Sequence, residues 1–174
     1  MKEIGSMADE AKITCCFTGP RPKNYPWGED KAREARVFER LEGEIGAAVD
    51  RGYRRFISGM AVGMDMLAAK IVLRLRERMP EKGITLEAAL PFLSQPRHWR
   101  EETKREYGEI LARCDGVHVL SDAFSLTAYG VRDRYMVDRS SLVIAVRGMP
   151  SGGTARTIAY AEESGKEVVL IESE

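Results

Sequence analysis

Arg54-Arg55-Phe56-Ile57 leads through Ser58-Gly59-Met60-Ala61-Val62-Gly63 into Met64-Asp65 and a stretch that ends at Pro80. The first four residues are a short β-type run, and the middle is a loop of small residues. Met64, Leu67, Ala68, Ile71, Val72 and Leu75 then recur at the three-to-four spacing of one helical face. Pro80 lacks the backbone N–H, and its ring collides with the preceding turn, so the helix stops before it. A strand that passes straight into an amphipathic helix is the building unit of parallel sheets with crossover helices.

The same alternation runs outward in both directions. Strands are predicted over 12–17, 54–57, 85–90, 116–120, 141–146 and 167–171. Phe38, Leu41, Ile45 and Ala48 mark a helix between the first two strands, with Gly52 as its stop. A further helix is expected over Glu102 to Arg113, with Tyr107, Ile110 and Leu111 inward, and another over Ser125 to Arg139, where Gly130 weakens the pattern. The last runs from near Ser151 to Gly165, a residue suited to the left-handed end of a helix. The expected fold is a single-domain, Rossmann-like, doubly wound α/β sheet, mostly parallel and flanked by helices. It occupies residues 12–174 after a flexible polar segment at 1–11.

Composition narrows the function classes. The 174 residues are 44% hydrophobic and 31% charged, as in a water-exposed globular domain, and no apolar run approaches the roughly eighteen residues that span a bilayer. The start carries Lys2, Glu3, Asp9 and Glu10 without an apolar segment, so no secretory signal and no membrane insertion are expected. Cys15, Cys16 and Cys114 cannot form a fully paired disulfide framework, which fits a reducing, cytoplasmic setting. Cys15 and Cys16 are neighbours in a strand, so they should face opposite sides of the sheet and serve packing rather than metal binding. Basic and acidic residues balance at 27 each, leaving no global positive field, and nucleic acid is therefore an unlikely partner. A nucleic-acid role would need a local patch, for which Arg97, Arg100, Lys104 and Arg105 and then Arg132, Arg134 and Arg139 are the candidates, and solvated helix faces explain both runs at least as well.

In a parallel sheet all strands finish at one edge, so the chemistry should lie in the loops that follow them. After the first strand, Thr18-Gly19-Pro20-Arg21-Pro22 offers a hydroxyl, a close backbone approach and a guanidinium able to pair with phosphate. Ser58, Gly59, Met60 and Gly63 precede a helix N-terminus, whose unpaired N–H groups suit an anion. Asp65 there either stabilises the first turn or accepts a hydrogen bond from a ribose hydroxyl. The spacing is not that of a P-loop, and no lysine stands where that loop would need one. Gly148-Met149-Pro150-Ser151-Gly152-Gly153-Thr154 forms a second small-residue turn before a helix. Pro91, Gln95 and Trp99 follow the third strand, and Trp99 or Trp27 either stacks on a base or packs beneath its loop. Only two histidines exist, His98 and His118, and the second falls in a predicted strand, so a Ser/His/Asp arrangement is unsupported.

From Cys16 onward these loops resemble the SLOG superfamily of Rossmann-like nucleotide-ligand proteins, and most closely its YpsA-like family. The resemblance is carried by Thr18-Gly19-Pro20-Arg21-Pro22 with Pro26-Trp27-Gly28, then by Phe56 to Asp65, then by Pro91, Gln95 and Trp99. It continues through Arg132-Asp133-Arg134-Tyr135-Met136-Val137-Asp138 and ends with Gly152-Gly153-Thr154, Thr157 and Tyr160. Pro20 and Asp133 stand where the family often has His and Asn, and neither is assigned a ligand contact. The resemblance implies binding of a nucleotide or nucleotide-derived molecule, such as an NAD-derived or ADP-ribose-like ligand, by a sensor or regulator, with links to cell division and stress physiology. It also implies a possible homodimer, and it adds Arg132 and Asp138 to the expected ligand contacts.

Two related branches supply rival functions. LOG phosphoribohydrolases cleave a nucleotide N-glycosidic bond with an Arg and a Glu, the Glu lying shortly after their glycine pair. Here Thr154-Ala155-Arg156-Thr157-Ile158-Ala159-Tyr160 follows Gly152-Gly153, and Glu162 and Glu163 lie more than a helical turn further on. No catalytic residue is assigned, and a ligand-binding role is preferred to an enzymatic one. DNA-processing protein A shares the Ser-Gly-x-Ala-x-Gly-x-Asp loop and ranks third, behind the hydrolase.

Overall fold

The strands are β1 (Thr14–Thr18), β2 (Arg55–Ser58), β3 (Thr85–Leu90), β4 (Gly116–Val119), β5 (Leu142–Val146) and β6 (Glu167–Ile171) in a computed structural model that describes residues 2–173. The helices are α1 (Lys2–Ala11), α2 (Lys31–Asp50), α3 (Met64–Arg78), α4 (Glu101–Arg113), α5 (Ala128–Asp138) and α6 (Gly153–Glu163). All pairings among the described strands are parallel, in the order β4-β3-β2-β1-β5-β6. Cys15 lies between Phe56 on one side and Leu142 on the other. The chain thus winds outward from β1 through β4, returns across the sheet and winds the other way through β6. The reversal falls between β1 and β5, where the loops after the two strands depart to opposite faces and leave a crevice.

Strand alternation divides the core in two. Cys15, Phe17, Phe56, Leu86, Leu142 and Ile144 point into one layer with Leu41, Ile45, Ile71 and Tyr107 of α2, α3 and α4, and the rings of Phe17 and Phe56 stack at 6.1 Å. Cys16, Ile57, Ala89 and Val143 face the other layer, with Met136 and Val137 of α5 and Ala161 of α6. The two cysteines therefore lie on opposite faces, as period-two geometry requires. α2 begins two turns ahead of its apolar stripe because the Asp30 carboxylate accepts the Arg33 N–H at 3.0 Å and caps it.

Residues 2–11 form a helix where the sequence predicts a flexible polar segment. Its end is tied down by the Thr14 hydroxyl, which donates to the Glu10 carbonyl at 2.6 Å, and by the Glu10 carboxylate, 2.8 Å from Arg55. The first is a local contact four residues apart, and the second is a tertiary one that a polar composition does not announce. Met1 and Glu174, the outer ends of the two expected spans, lie outside the described residues. Among the described residues no helix is long and apolar enough to cross a membrane.

Candidate functional site

The crevice at the reversal point is an open cleft of about 470 Å³. Thr18, Gly19, Pro20 and Arg21 border it from the turn after β1, followed by Lys23 and Asn24 of the short 3-10 turn Pro22–Asn24. Ser151, Gly152, Gly153, Thr154 and Arg156 border it from the start of α6, and Tyr129, Arg132 and Asp133 from α5. Ala61 and Asp65 come from the turn after β2. Three loops and one helix that are remote in sequence therefore meet at one place.

Arg132 is the centre of this arrangement and corrects the expectation of a solvated helix face, being only 5% exposed. Its Nη1 donates to the Gly59 carbonyl and its Nε to Asp133 Oδ1, both at 2.7 Å. A side chain on residue 59 would meet the guanidinium at 2.7 to 2.9 Å, so only glycine lets Arg132 lie there. Gln95 Nε2 donates to the Gly59 and Met60 carbonyls at 3.3 and 3.4 Å and braces the same loop from behind. Asp133 Oδ2 accepts from the Thr157 hydroxyl at 3.1 Å, which pins α5 to α6. The Tyr129 ring lies 5.0 Å from the Arg21 guanidinium and 5.8 Å from that of Arg132.

The turn after β2 spends two of its N–H groups on its own acceptors. The Met60 N–H donates to Ser58 Oγ at 3.2 Å, the Ala61 N–H to Asp65 Oδ2 at 3.3 Å, and Ser58 Oγ donates to the Asp65 carbonyl at 2.8 Å. Gly63 has φ +100°, and a Cβ there would lie 2.9 Å from both Pro22 Cδ and the Tyr25 hydroxyl. Ser58, Gly59, Met60 and Gly63 therefore support the cleft from behind, and Asp65 alone of the expected contacts from this turn reaches it. Burial pushes the Asp65 carboxyl up to about 6, and Asp133 adds to the rise, while Arg132, the Ala61 N–H and Arg21 oppose it.

The β5-to-α6 turn is different. No side chain caps α6, and the Arg156 N–H closes the first turn on the Gly152 carbonyl, so the helix end faces the cleft with its earliest N–H groups.

Thr18, Gly19, Arg21, Asp65, Arg132, Gly152, Gly153 and Thr154 thus gather around one space. The other expected contacts lie elsewhere. Pro91 is buried in the turn after β3 and does not border the cleft. Trp99 packs edge-on against Tyr107 at 5.3 Å, and Trp27 is buried against Tyr25 at 4.4 Å, so both indoles belong to the packing. Asp138 accepts from the Tyr160 hydroxyl at 2.6 Å and borders a separate hollow beside α1. Lys23, Asn24, Tyr129 and Arg156 line the cleft without having been singled out, and Met149 and Ser151, named as part of the second small-residue turn, line it too. Arg156 carried a legible signal: a cation in the first turn of a helix opposes the dipole unless an anion offsets it.

The family model described as the YspA SLOG family (YpsA) matches residues 15–174. The chain belongs to this SLOG family. A UPF0398 protein of Halalkalibacterium halodurans is 32% identical over 81 residues, a match covering 47% of this chain and 42% of that protein. A UPF0398 protein of Bacillus thuringiensis is 23% identical over 134 residues, covering 76% of this chain and 72% of that protein. Among solved structures, DNA processing protein A from Streptococcus pneumoniae superimposes with a TM-score of 0.58 at 19% identity, over 95% of the SLOG chain and 51% of that protein. DNA processing protein A from Helicobacter pylori superimposes with a TM-score of 0.59 at 15% identity, over 95% and 67%. The match to the first of these curated relatives spans less than half of its length, and the match to the pneumococcal structure about half.

The Helicobacter pylori protein shares this fold and has a single-stranded DNA binding mode. That overturns the expectation that nucleic acid is an unlikely partner. The balance of 27 basic and 27 acidic residues is a property of the whole chain, whereas binding depends on the local field. In this SLOG chain Arg21, Lys23, Arg132 and Arg156 border a single cleft.

Proposed function

We propose that the cleft binds the phosphate of a nucleotide or nucleotide-derived ligand, and that the protein acts as a sensor or regulator. The observation that carries this reading is the convergence of Arg21, Arg156 and the uncapped N-terminus of α6 on one open space whose floor is the buried Arg132. Guanidinium groups and a helix N-terminus are complementary to phosphate, and both work best where water is partly excluded. Arg132 spends Nε and Nη1 on Asp133 and Gly59, and among the described residues Nη2 has no protein acceptor.

Binding is preferred to turnover because the carboxylates in the cleft are already engaged. Asp133 accepts from Arg132 and Thr157, and Asp65 accepts from Ala61. No acid follows Gly152-Gly153 until Glu162. A thermal-shift series with phosphate, AMP, ADP-ribose and NAD, each incubation then chromatographed, tests the reading. A ligand that binds only the folded state raises its melting temperature. Stabilisation without released base or phosphate is the expected result, and a cleft that no phosphate compound stabilises would end the proposal.

A second reading is single-stranded DNA binding, favoured by the likeness to the Helicobacter pylori protein. It requires an affinity for oligonucleotide that falls steeply with salt, because each neutralised phosphate releases counterions.

A further inference from the structure

A groove of about 580 Å³ runs between α5 and α6, next to the cleft. The two share Tyr129, Asp133, Gly153 and Arg156, so they adjoin along one edge and a single ligand can reach over it into both. The groove is more apolar than the cleft. Leu126 on its rim is 91% exposed, an unusual state for leucine beside a concave surface, and Val131 is also exposed. Tyr160 and Arg134 line it as a cation-π pair, the guanidinium 5.1 Å from the ring centroid. A flat ring paired with a flat cation favours a planar, delocalised group over an aliphatic one.

The glycines of the groove are the second observation. Gly130 is inside α5, where glycine is disfavoured, yet a Cβ built on it meets no atom within 4 Å. The same holds for Gly153 at the facing end of α6. No protein packing requires either glycine. Both line the groove, so a side chain at either would narrow it.

We propose that the α5–α6 groove holds the base of the ligand whose phosphate the cleft binds, so that the ligand is a nucleoside carrying at least one phosphate. This rests on the cleft reading above and adds a second subsite to it. The phosphate lies toward Arg21 and the start of α6, and the base lies toward Leu126, Gly130 and Tyr160.

Calorimetric titration of the full chain with ADP and with inorganic pyrophosphate separates the two subsites. Wild type should bind ADP at least tenfold more tightly than pyrophosphate. Gly130→Leu should erase that advantage, hold pyrophosphate affinity within twofold and melt no lower than wild type. Leu126→Asn, on a side chain too exposed to disturb folding, should weaken ADP severalfold and leave pyrophosphate unchanged; it decides the matter if Gly130→Leu does not fold. An oligodeoxythymidine that binds more tightly than ADP and is weakened by the same two variants assigns the base to a single strand rather than a free nucleotide. Equal binding of ADP and pyrophosphate by wild type, or ADP binding indifferent to both variants, overturns the groove while leaving the cleft intact. Failure of both compounds to bind wild type overturns the groove and the cleft together.

Discussion

Two turns in this protein look alike in sequence and behave differently in three dimensions. Ser58-Gly59-Met60-Ala61-Val62-Gly63 and Gly148-Met149-Pro150-Ser151-Gly152-Gly153 each join a strand to a helix through small residues. The first has turned the Met60 and Ala61 N–H groups onto its own acceptors, Ser58 Oγ and the Asp65 carboxylate, and is packed under Pro20, Pro22 and Tyr25. Neither helix has a side-chain cap, but Gly152, Gly153 and Thr154 at the second all border the cleft, whereas from the first only Ala61 and Asp65 do. A small-residue turn before a helix binds an anion only if its donors are unspent, and that depends on what lies beside it. The first turn adjoins the loop after β1 on the same side of the sheet reversal, while the second faces it across the crevice.

If one turn is structural and the other functional, glycine replacements should separate them. Gly63→Ala combines a disfavoured positive φ with overlap against Pro22 and Tyr25, and should cost about 3 to 4 kcal/mol in denaturant unfolding. Gly152→Ala has a positive φ but no atom within 4 Å, so the strain alone should make its cost smaller. Equal costs would erase the distinction.

Asp65 gives the first turn a pH signature. Its carboxyl is raised from 3.8 to about 6 in the folded protein, so the folded state binds the proton more tightly than the unfolded one. Its contribution to stability is therefore fully present below about pH 4 and is lost as pH rises to about 6, a fall of roughly 2 to 3 kcal/mol at 1.36 kcal/mol per unit. Asp65→Asn should flatten that part of the stability profile. Phosphate affinity should fall over the same range, since the ionised carboxylate borders the cleft.

A crossed pair of substitutions sharpens the comparison further. Arg21→Ala should weaken a phosphate ligand by about 2 kcal/mol while moving stability by less than about 0.5 kcal/mol. Ser58→Ala removes a buried hydroxyl that both donates and accepts, and should cost about 1 to 2 kcal/mol of stability. Calorimetry and urea unfolding on both variants show whether the two effects stay separate. The smallest effect is expected from Gly153→Ala, which should stabilise the protein by about 0.5 to 1 kcal/mol, because the position is helical and its Cβ meets open space.

The legible part of the fold was the part governed by local periodicity. The predicted strands at 85–90 and 167–171 match β3 and β6, and the other strand ends shift by at most two residues. α3 stops before Pro80 as predicted, but its buried face is wider than the stripe: Met66, Ala69 and Leu73 are buried with it, while Leu67 and Leu75 are half-buried. Half of the expected ligand contacts gather at the cleft because loops after parallel strands must share an edge. Gln95, Trp99 and Asp138 do not, although they travel with the others in the family pattern, because the positions their elements give them are behind or beside the cleft rather than in it.

Alternating apolar runs and helical stripes were enough to specify a parallel, doubly wound sheet, since period two and period 3.6 leave few ways to bury both patterns. The residue types at the turns were enough to mark where anion chemistry was possible. Only the folded chain decided which residues of the two turns face the cleft, and only it buried Arg132 against Gly59 and left Gly130 facing an open groove. The contact of Arg132 with Gly59 joins residues 73 apart, and the groove joins two separate helices, so no local pattern records either.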